Sequence, residues 1–175
     1  LAAMGCPVGR DQIMTSGDVT IAYLKTEHPD RTVYLMGTPA LEESFAEAGI
    51  CLWREGDPRP DVVVVGFDTT LTYEKLDRAC TFIRQGSVFL ATHLDINCPT
   101  ENGFIPDAGA IHAFIHASAF RYPDYIVGKP NGYIMDYLSD RAGAEKNETA
   151  MVGDRLYTDV AAGVNNGYTG ILVLS

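Results

Sequence analysis

An uninterrupted run of four valines, Val62 to Val65, constrains the fold of this chain more than any other feature of its sequence. β-Branched residues favour strands, and a strand that is apolar at every position belongs in a sheet covered on both faces. Other apolar runs of strand length lie at 32–37, 88–91, 125–127, 150–152 and 170–174, and they alternate with stretches of helical character. This alternation predicts βαβ units and a doubly wound α/β fold with a mostly parallel sheet.

The stretches between the apolar runs carry helix signals. The segment 39–48 starts with proline and is followed by Gly49, whereas the segment 72–84 has a capping Thr72 and a single apolar face. Helices are also expected at 108–117, 132–142 and 157–165. The interval 92–107 is too long for a tight turn between a strand and a helix, so we predict that it is a functional loop.

Charge and composition exclude several classes of function. The 175 residues include 23 acids and 13 Lys or Arg residues, for a net charge of −10. This charge repels nucleic acid and anionic membrane surfaces, and no apolar run approaches the roughly 20 residues of a transmembrane helix. The four cysteines are widely spaced, without a C-x-x-C pair, which argues against a zinc cluster. Since the start also lacks the pattern of a secretory signal, we expect a cytoplasmic protein.

The segment that follows the predicted strand 150–152 carries candidate acids. Asp154 comes directly after Gly153, and a carboxylate in such a place suits Mg²⁺, which keeps waters and a phosphate as its other ligands. Asp159 lies five residues later, where it can orient Asp154 or a metal-bound water. An ordinary helix N-terminus, with Asp154 or Thr158 as its cap, explains the same residues equally well.

A candidate cation follows another predicted strand. Lys129 lies between Gly128 and Pro130, directly after the strand 125–127. An ammonium group fixed there can neutralise phosphate or carboxylate charge at the carboxyl edge of the sheet, where doubly wound folds bind their ligands. A surface lysine in a turn is the alternative explanation.

The two segments in succession, strand-Gly-Lys-Pro and then strand-Gly-Asp-x-x-x-Thr-Asp, resemble the third and fourth motifs of the haloacid dehalogenase-like (HAD) phosphatases. Four further segments resemble the cap domain of class IIA, the 4-nitrophenylphosphatase-like and sugar-phosphatase-like enzymes: VVGFD at 64–68, LTYEKL at 71–76, ATHLD at 91–95 and CPTENG at 98–103. The resemblance extends over essentially the whole chain. It implies a Rossmann-like HAD core at 1–16 and 124–175, with an inserted α/β C2-type cap at 17–123.

The resemblance also implies roles for individual residues. Lys129 would stabilise the nucleophile and the transferring phosphoryl group, Asp154 would bind Mg²⁺, and Asp159 would be the supporting acid. The family's nucleophile belongs to an Asp-x-Asp-Gly motif, which this sequence does not contain. Because the chain starts at Leu1 and ends at Ser175 directly after an apolar strand, we expect a core truncated at both ends, with that motif upstream.

The expected function is therefore a Mg²⁺-dependent phosphatase that hydrolyses small phosphomonoesters through an aspartyl-phosphate. The expected substrate is a small phosphorylated metabolite, such as a sugar phosphate, in contact with Lys129 and with His93, Asp95 and Cys98 of the cap. Cys98 is equally explained as a small buried hydrophobe. A homodimer through the cap is a further expectation. The alternatives are a non-catalytic phospholigand-binding protein and a phosphotransferase of the same fold.

Overall fold

The computed structural model describes residues 2–174 and divides them into helices and strands that alternate along the chain. The strands are β1 (Val33–Met36), β2 (Val62–Val65), β3 (Val88–Ala91), β4 (Asn97–Thr100), β5 (Gly103–Pro106), β6 (Tyr125–Ile126), β7 (Ala150–Gly153) and β8 (Thr169–Leu172). The α-helices are α1 (Ser16–Glu27), α2 (Pro39–Glu47), α3 (Tyr73–Arg84), α4 (Ala108–Ala119), α5 (Gly132–Ala142) and α6 (Ala161–Val164). Short 3₁₀ helices lie at Ala2–Met4, Arg10–Gln12 and Lys146–Glu148, and a π-helical turn lies at Leu156–Val160.

Four parallel strands form the main sheet, in the order β1-β2-β3-β6. β2 pairs along its full length with β1 on one side and with β3 on the other. Leu52 forms a parallel bridge to Val33 on the edge of β1 that faces away from β2. After β1 the chain therefore first runs to that edge and then crosses back past β1 to form β2. This reversal places helices on both faces of the sheet and confirms the predicted doubly wound α/β fold.

Two apolar cores cover the two faces of the main sheet. On one face, Leu24 of α1 and Phe45 of α2 pack against the even-numbered valines of β2. On the other face, Ile83 of α3 and Ile115 of α4 pack against the odd-numbered ones. Because successive side chains of a strand point to opposite faces, all four valines are buried, as the apolar run predicts.

The interval 92–107, which we predict to be a functional loop, also contains two short strands. β4 and β5 form an antiparallel hairpin within it, with Thr100 opposite Gly103. The strand pattern is weak because the hairpin contains Pro99 and Pro106 and is mostly exposed. The Asn-Gly pair at 102–103 is the signal that could have indicated a turn there.

The predicted helix at 157–165 is also only partly correct. The backbone N–H groups of Asp159 and Val160 both donate to the carbonyl oxygen of Arg155, which widens the first turn into a π-helical turn before α6 begins. β7 and β8, on either side of this segment, form a separate two-stranded parallel sheet.

The boundary between cap and core at 123/124 remains a prediction. β6, which follows that boundary, pairs with β3 of the main sheet. Within residues 2–174, no helix is both long and apolar enough to cross a membrane.

Candidate active site

The carboxyl ends of β3 and β6 meet directly before Lys129. The backbone N–H of Gly128 donates to the carbonyl oxygen of Thr92 at 2.9 Å. A Cβ atom at residue 128 would lie 2.2 Å from that oxygen, a distance that no side chain can occupy. Glycine is therefore required for this close approach, and the approach fixes the backbone from which Lys129 extends.

A second glycine brings Asp159 against the end of β7. A Cβ atom at residue 153 would lie 2.4 Å from the Cβ atom of Asp159. The backbone N–H of Arg155 donates to Asp159 Oδ2 at 3.2 Å. The segment that carries Asp154 is thus folded back onto Asp159, which is buried.

Lys129 is the cation that joins the two strand ends. Its Nζ donates to Asp159 Oδ1 at 2.5 Å and lies 3.3 Å from Asp95 Oδ2. Burial disfavours the charged ammonium, but the hydrogen bond to Asp159 and the charge of Asp95 outweigh burial and raise the pKa of Lys129. The ammonium is therefore charged at neutral pH and held from two sides, an arrangement that can bind an anion at a fixed position.

Asp95, between β3 and β4, is buried among donors. Its Oδ1 accepts a hydrogen bond from Thr158 Oγ1 at 2.7 Å, and its Oδ2 lies 3.1 Å from the guanidinium of Arg155. Burial alone would raise the pKa of Asp95, but the hydrogen bond from Thr158 and the charges of Lys129 and Arg155 hold that pKa below its usual value. Arg155 also donates to the carbonyl oxygen of Asn97 at 2.6 Å.

His93 follows β3 and faces Asp107, the N-cap residue of α4. Its Nε2 lies 2.9 Å from Asp107 Oδ1, while its Nδ1 lies 2.9 Å from Thr92 Oγ1 and 3.3 Å from Ser16 Oγ. Burial would raise the pKa of Asp107, but hydrogen bonds from His93 and from the Ala108 N–H lower it. His93 therefore connects the start of α1, the end of β3 and the start of α4.

The structure brings some of the predicted site residues together and separates others. His93, Asp95 and Lys129 line one cavity of about 360 Å³, and Asp159 lies beside Lys129. Asp154 is exposed at the end of β7, and Cys98 lies half-buried on β4. Neither of these two residues lines that cavity.

Sequence reasoning missed two members of this site, Thr158 and Arg155. A capping role was one explanation of Thr158, but its hydroxyl donates to Asp95 from within the π-helical turn. Both residues flank the predicted acids in the segment after a strand end, which is the signal that could have identified them. Their partner Asp95 lies about 60 residues away in sequence, and no spacing rule connects such positions.

Two places offer ligands for a cation. His93, Asp95 and Asp107 each present one ligand atom, and these atoms lie within 4.8 Å of one another. A cation there would compete with the charged side chains that already bind Asp95. Asp154 presents an exposed carboxylate at a strand end, and its donor type fits Mg²⁺, which proteins hold with one or two carboxylates, waters and phosphate oxygens.

Comparison with known proteins identifies relatives along the chain. Family models described as haloacid dehalogenase-like hydrolase and HAD-hydrolase-like match residues 1–51 and 126–175. An acid sugar phosphatase of Staphylococcus epidermidis is 39% identical over 163 residues, which cover 93% of this chain and 62% of the relative. The 5′-nucleotidase YutF of Bacillus subtilis is 34% identical over 173 residues, which cover 99% of this chain and 66% of the relative. The chain thus spans less than two thirds of the length of these relatives.

A solved structure extends the likeness to three dimensions. The crystal structure of 4-nitrophenylphosphatase from Thermotoga maritima is 47% identical to this chain, with a TM-score of 0.91. The match covers 99% of this chain and 66% of that protein. Sequence identity at this level, together with the shared fold and the two family models, shows that the chain belongs to the haloacid dehalogenase-like hydrolases.

Proposed function

We propose that the full-length gene product is a Mg²⁺-dependent phosphatase that hydrolyses small phosphomonoesters through an aspartyl-phosphate. The observation that carries this proposal is the ammonium of Lys129, held between Asp159 and Asp95 at the carboxyl edge of the main sheet. Phosphoryl transfer depends mainly on positioning and on neutralising charge at the phosphoryl oxygens. A cation fixed at a strand end supplies both. The nucleophile that the family implies is not among these 175 residues, because they contain no Asp-x-Asp-Gly motif.

The charge balance around Lys129 supports a divalent metal. Two cations, Lys129 and Arg155, lie among three carboxylates, those of Asp95, Asp154 and Asp159. The excess negative charge would repel a phosphate dianion unless another cation offset it. Asp154 would hold Mg²⁺, which when bound supplies positive charge to the phosphoryl oxygens. Asp159 would keep Lys129 in place beside it.

The cavity next to Lys129 supports a small substrate. Its volume of about 360 Å³ is at the lower end of the range for small-molecule sites, about 300–1,000 Å³. Its lining combines His93 and Ser16 with apolar side chains, a surface that can take the leaving group of a sugar phosphate or a similar metabolite. We propose that His93, in the cavity lining, selects the leaving group, and that Cys98, on the neighbouring hairpin outside this lining, is a further contact. A homodimer through the cap is part of the same proposal.

Substitution of Asp154 and Lys129 tests this function in the full-length gene product. Asp154→Asn should abolish Mg²⁺-dependent release of 4-nitrophenol from 4-nitrophenyl phosphate. Lys129→Ala should lower kcat by about 10²-fold or more, the cost of one preorganised electrostatic group. Asp77→Asn, which removes an exposed carboxylate on α3, is the matched control and should leave kcat unchanged.

The same experiment separates the proposal from its alternatives. A wild-type protein that binds phosphate esters but never turns them over would be a binding protein, and the phosphatase proposal would fail. Release of 4-nitrophenol without free phosphate, together with a phosphorylated acceptor, would instead identify a phosphotransferase. Unchanged turnover in Asp154→Asn would remove Asp154 from the site.

A further inference from the structure

We infer that Asp95 is a positioning residue: it fixes Lys129 and the π-helical turn relative to each other and does not itself contact the substrate. This inference rests on the proposed function of the site, because it assigns Asp95 a role through Lys129. The sequence alone placed Asp95 among the substrate contacts. The hydrogen bond and the ion pairs of its carboxylate favour a positioning role.

The carboxylate of Asp95 is already occupied on both oxygens. Oδ1 accepts the hydroxyl of Thr158 at 2.7 Å, and Oδ2 lies 3.3 Å from Lys129 Nζ and 3.1 Å from Arg155. Its side chain is 8% exposed. A substrate group that bound this carboxylate would have to displace a buried hydroxyl or a cation, and each such partner is costly to lose.

These contacts form a closed ring. Lys129 bridges Asp95 and Asp159, the backbone N–H of Arg155 donates to Asp159, and the guanidinium of Arg155 returns to Asp95. Each charged member thus has a partner on both sides. Without the charge of Asp95, Lys129 keeps only Asp159, and its flexible side chain has one restraint in place of two.

The backbone around Asp95 is itself held from two directions. The N–H of Gly109, in the first turn of α4, donates to the carbonyl oxygen of Asp95 at 2.8 Å. A Cβ atom at residue 109 would lie 2.6 Å from the carbonyl oxygen of Leu94, so α4 packs closely against this segment. On the other side, Arg155 donates to Asn97. Asp95 therefore links α4 and the hairpin to Lys129 and Arg155.

The test uses three variants of the full-length gene product. Asp95→Asn removes the charge with little change in shape, Asp95→Glu restores it on a longer side chain, and Thr158→Val removes only the hydroxyl. Asp68→Asn is the matched control, since Asp68 is a buried carboxylate paired with a lysine, Lys75, and is not a member of the ring. It should lower stability without lowering kcat.

For 4-nitrophenyl phosphate and a panel of sugar phosphates and nucleoside monophosphates, Asp95→Asn should lower kcat by about 10²-fold, as expected for a displacement of about 1 Å. KM should change by about threefold or less, and the ranking of substrates should be unchanged, because the residue acts through Lys129. Thr158→Val should act in the same direction with a smaller effect, and Asp95→Glu should recover part of kcat. An altered ranking with kcat preserved would overturn the inference and make Asp95 a substrate contact.

A second measurement does not depend on turnover. Titration of the Lys129 ammonium by ¹⁵N NMR should show a lower pKa in Asp95→Asn than in the wild type, since the Asp95 charge helps to raise that pKa. If the wild-type protein hydrolyses no ester, the proposed function is wrong, but the titration of Lys129 still tests the positioning role of Asp95. An identical Lys129 titration in both proteins would overturn the positioning role. If Asp95→Asn does not fold, Thr158→Val, which keeps every charge, decides the kinetic comparison.

Discussion

Replacement of Gly128 by alanine should displace Lys129, the residue that we propose binds phosphate, without removing any charged group. The new Cβ atom would lie 2.2 Å from the carbonyl oxygen of Thr92, whereas ordinary contact begins at 3.4 Å. The two strand ends must therefore separate by about 1 Å. Such overpacking costs about 1–3 kcal/mol of stability, and a displacement of 1 Å at a reacting group costs about 10²-fold in rate.

The assay is Mg²⁺-dependent hydrolysis of 4-nitrophenyl phosphate by the full-length gene product, with urea unfolding in parallel. Gly143→Ala is the control, because Gly143 has a positive φ of 64° but its Cβ would meet no atom within 4 Å. A left-handed alanine costs about 1–2 kcal/mol, so the control should lose comparable stability and keep its kcat. Wild-type kcat in a folded Gly128→Ala protein would refute the reasoning that this approach positions Lys129.

Two further predictions concern the stability of the main sheet and its helices. His112 is buried and its pKa is lowered by burial to about 4, so it is neutral when folded, whereas the unfolded chain binds a proton below about pH 6.5. The free energy of unfolding should therefore fall by about 3 kcal/mol from this group as the pH drops from 6.5 to 4, and urea unfolding of His112→Gln should show a smaller decline than the wild type. Lys75→Met leaves the fully buried carboxylate of Asp68 without its cation and should lower the free energy of unfolding by about 3–5 kcal/mol, measured by thermal and urea denaturation at pH 7. A loss below about 1 kcal/mol would show that the hydroxyl and backbone N–H of Thr70 satisfy Asp68 without the lysine.

The order of strands and helices could be read from the sequence because each element buries a continuous apolar pattern. The valines of β2 and the single apolar face of α3 are local signals, and the structure places both within about a residue of their predicted limits. The β4–β5 hairpin lacks such a signal, since its strands are mostly exposed and pair only with each other within the described part of the chain. Its existence depends on strand pairing, which apolar periodicity does not report.

The candidate site could be predicted one strand end at a time but not as a set of contacts. Lys129 and Asp159 were both identified from the residues that follow strands, and the structure places them 2.5 Å apart. The ring that includes Asp95 could not be predicted, because Asp95 contacts residues that are 34 and 63 residues away in sequence. Arg155 was missed for a related reason, since an arginine next to an acid in sequence is usually a surface residue.

The π-helical turn explains why two adjacent residues can serve the site together. In a regular α-helix successive side chains are rotated by about 100°, so the adjacent Thr158 and Asp159 would point in different directions. In the observed turn both are buried, with Thr158 directed to Asp95 and Asp159 directed to Lys129. The turn can form here because Gly153 leaves room for Asp159 beneath β7, where any side chain would collide with it. The absence of a side chain at Gly153 thus makes room for the buried Asp159, so a glycine at one strand end helps to place an acid whose partner Lys129 lies 30 residues away in the chain.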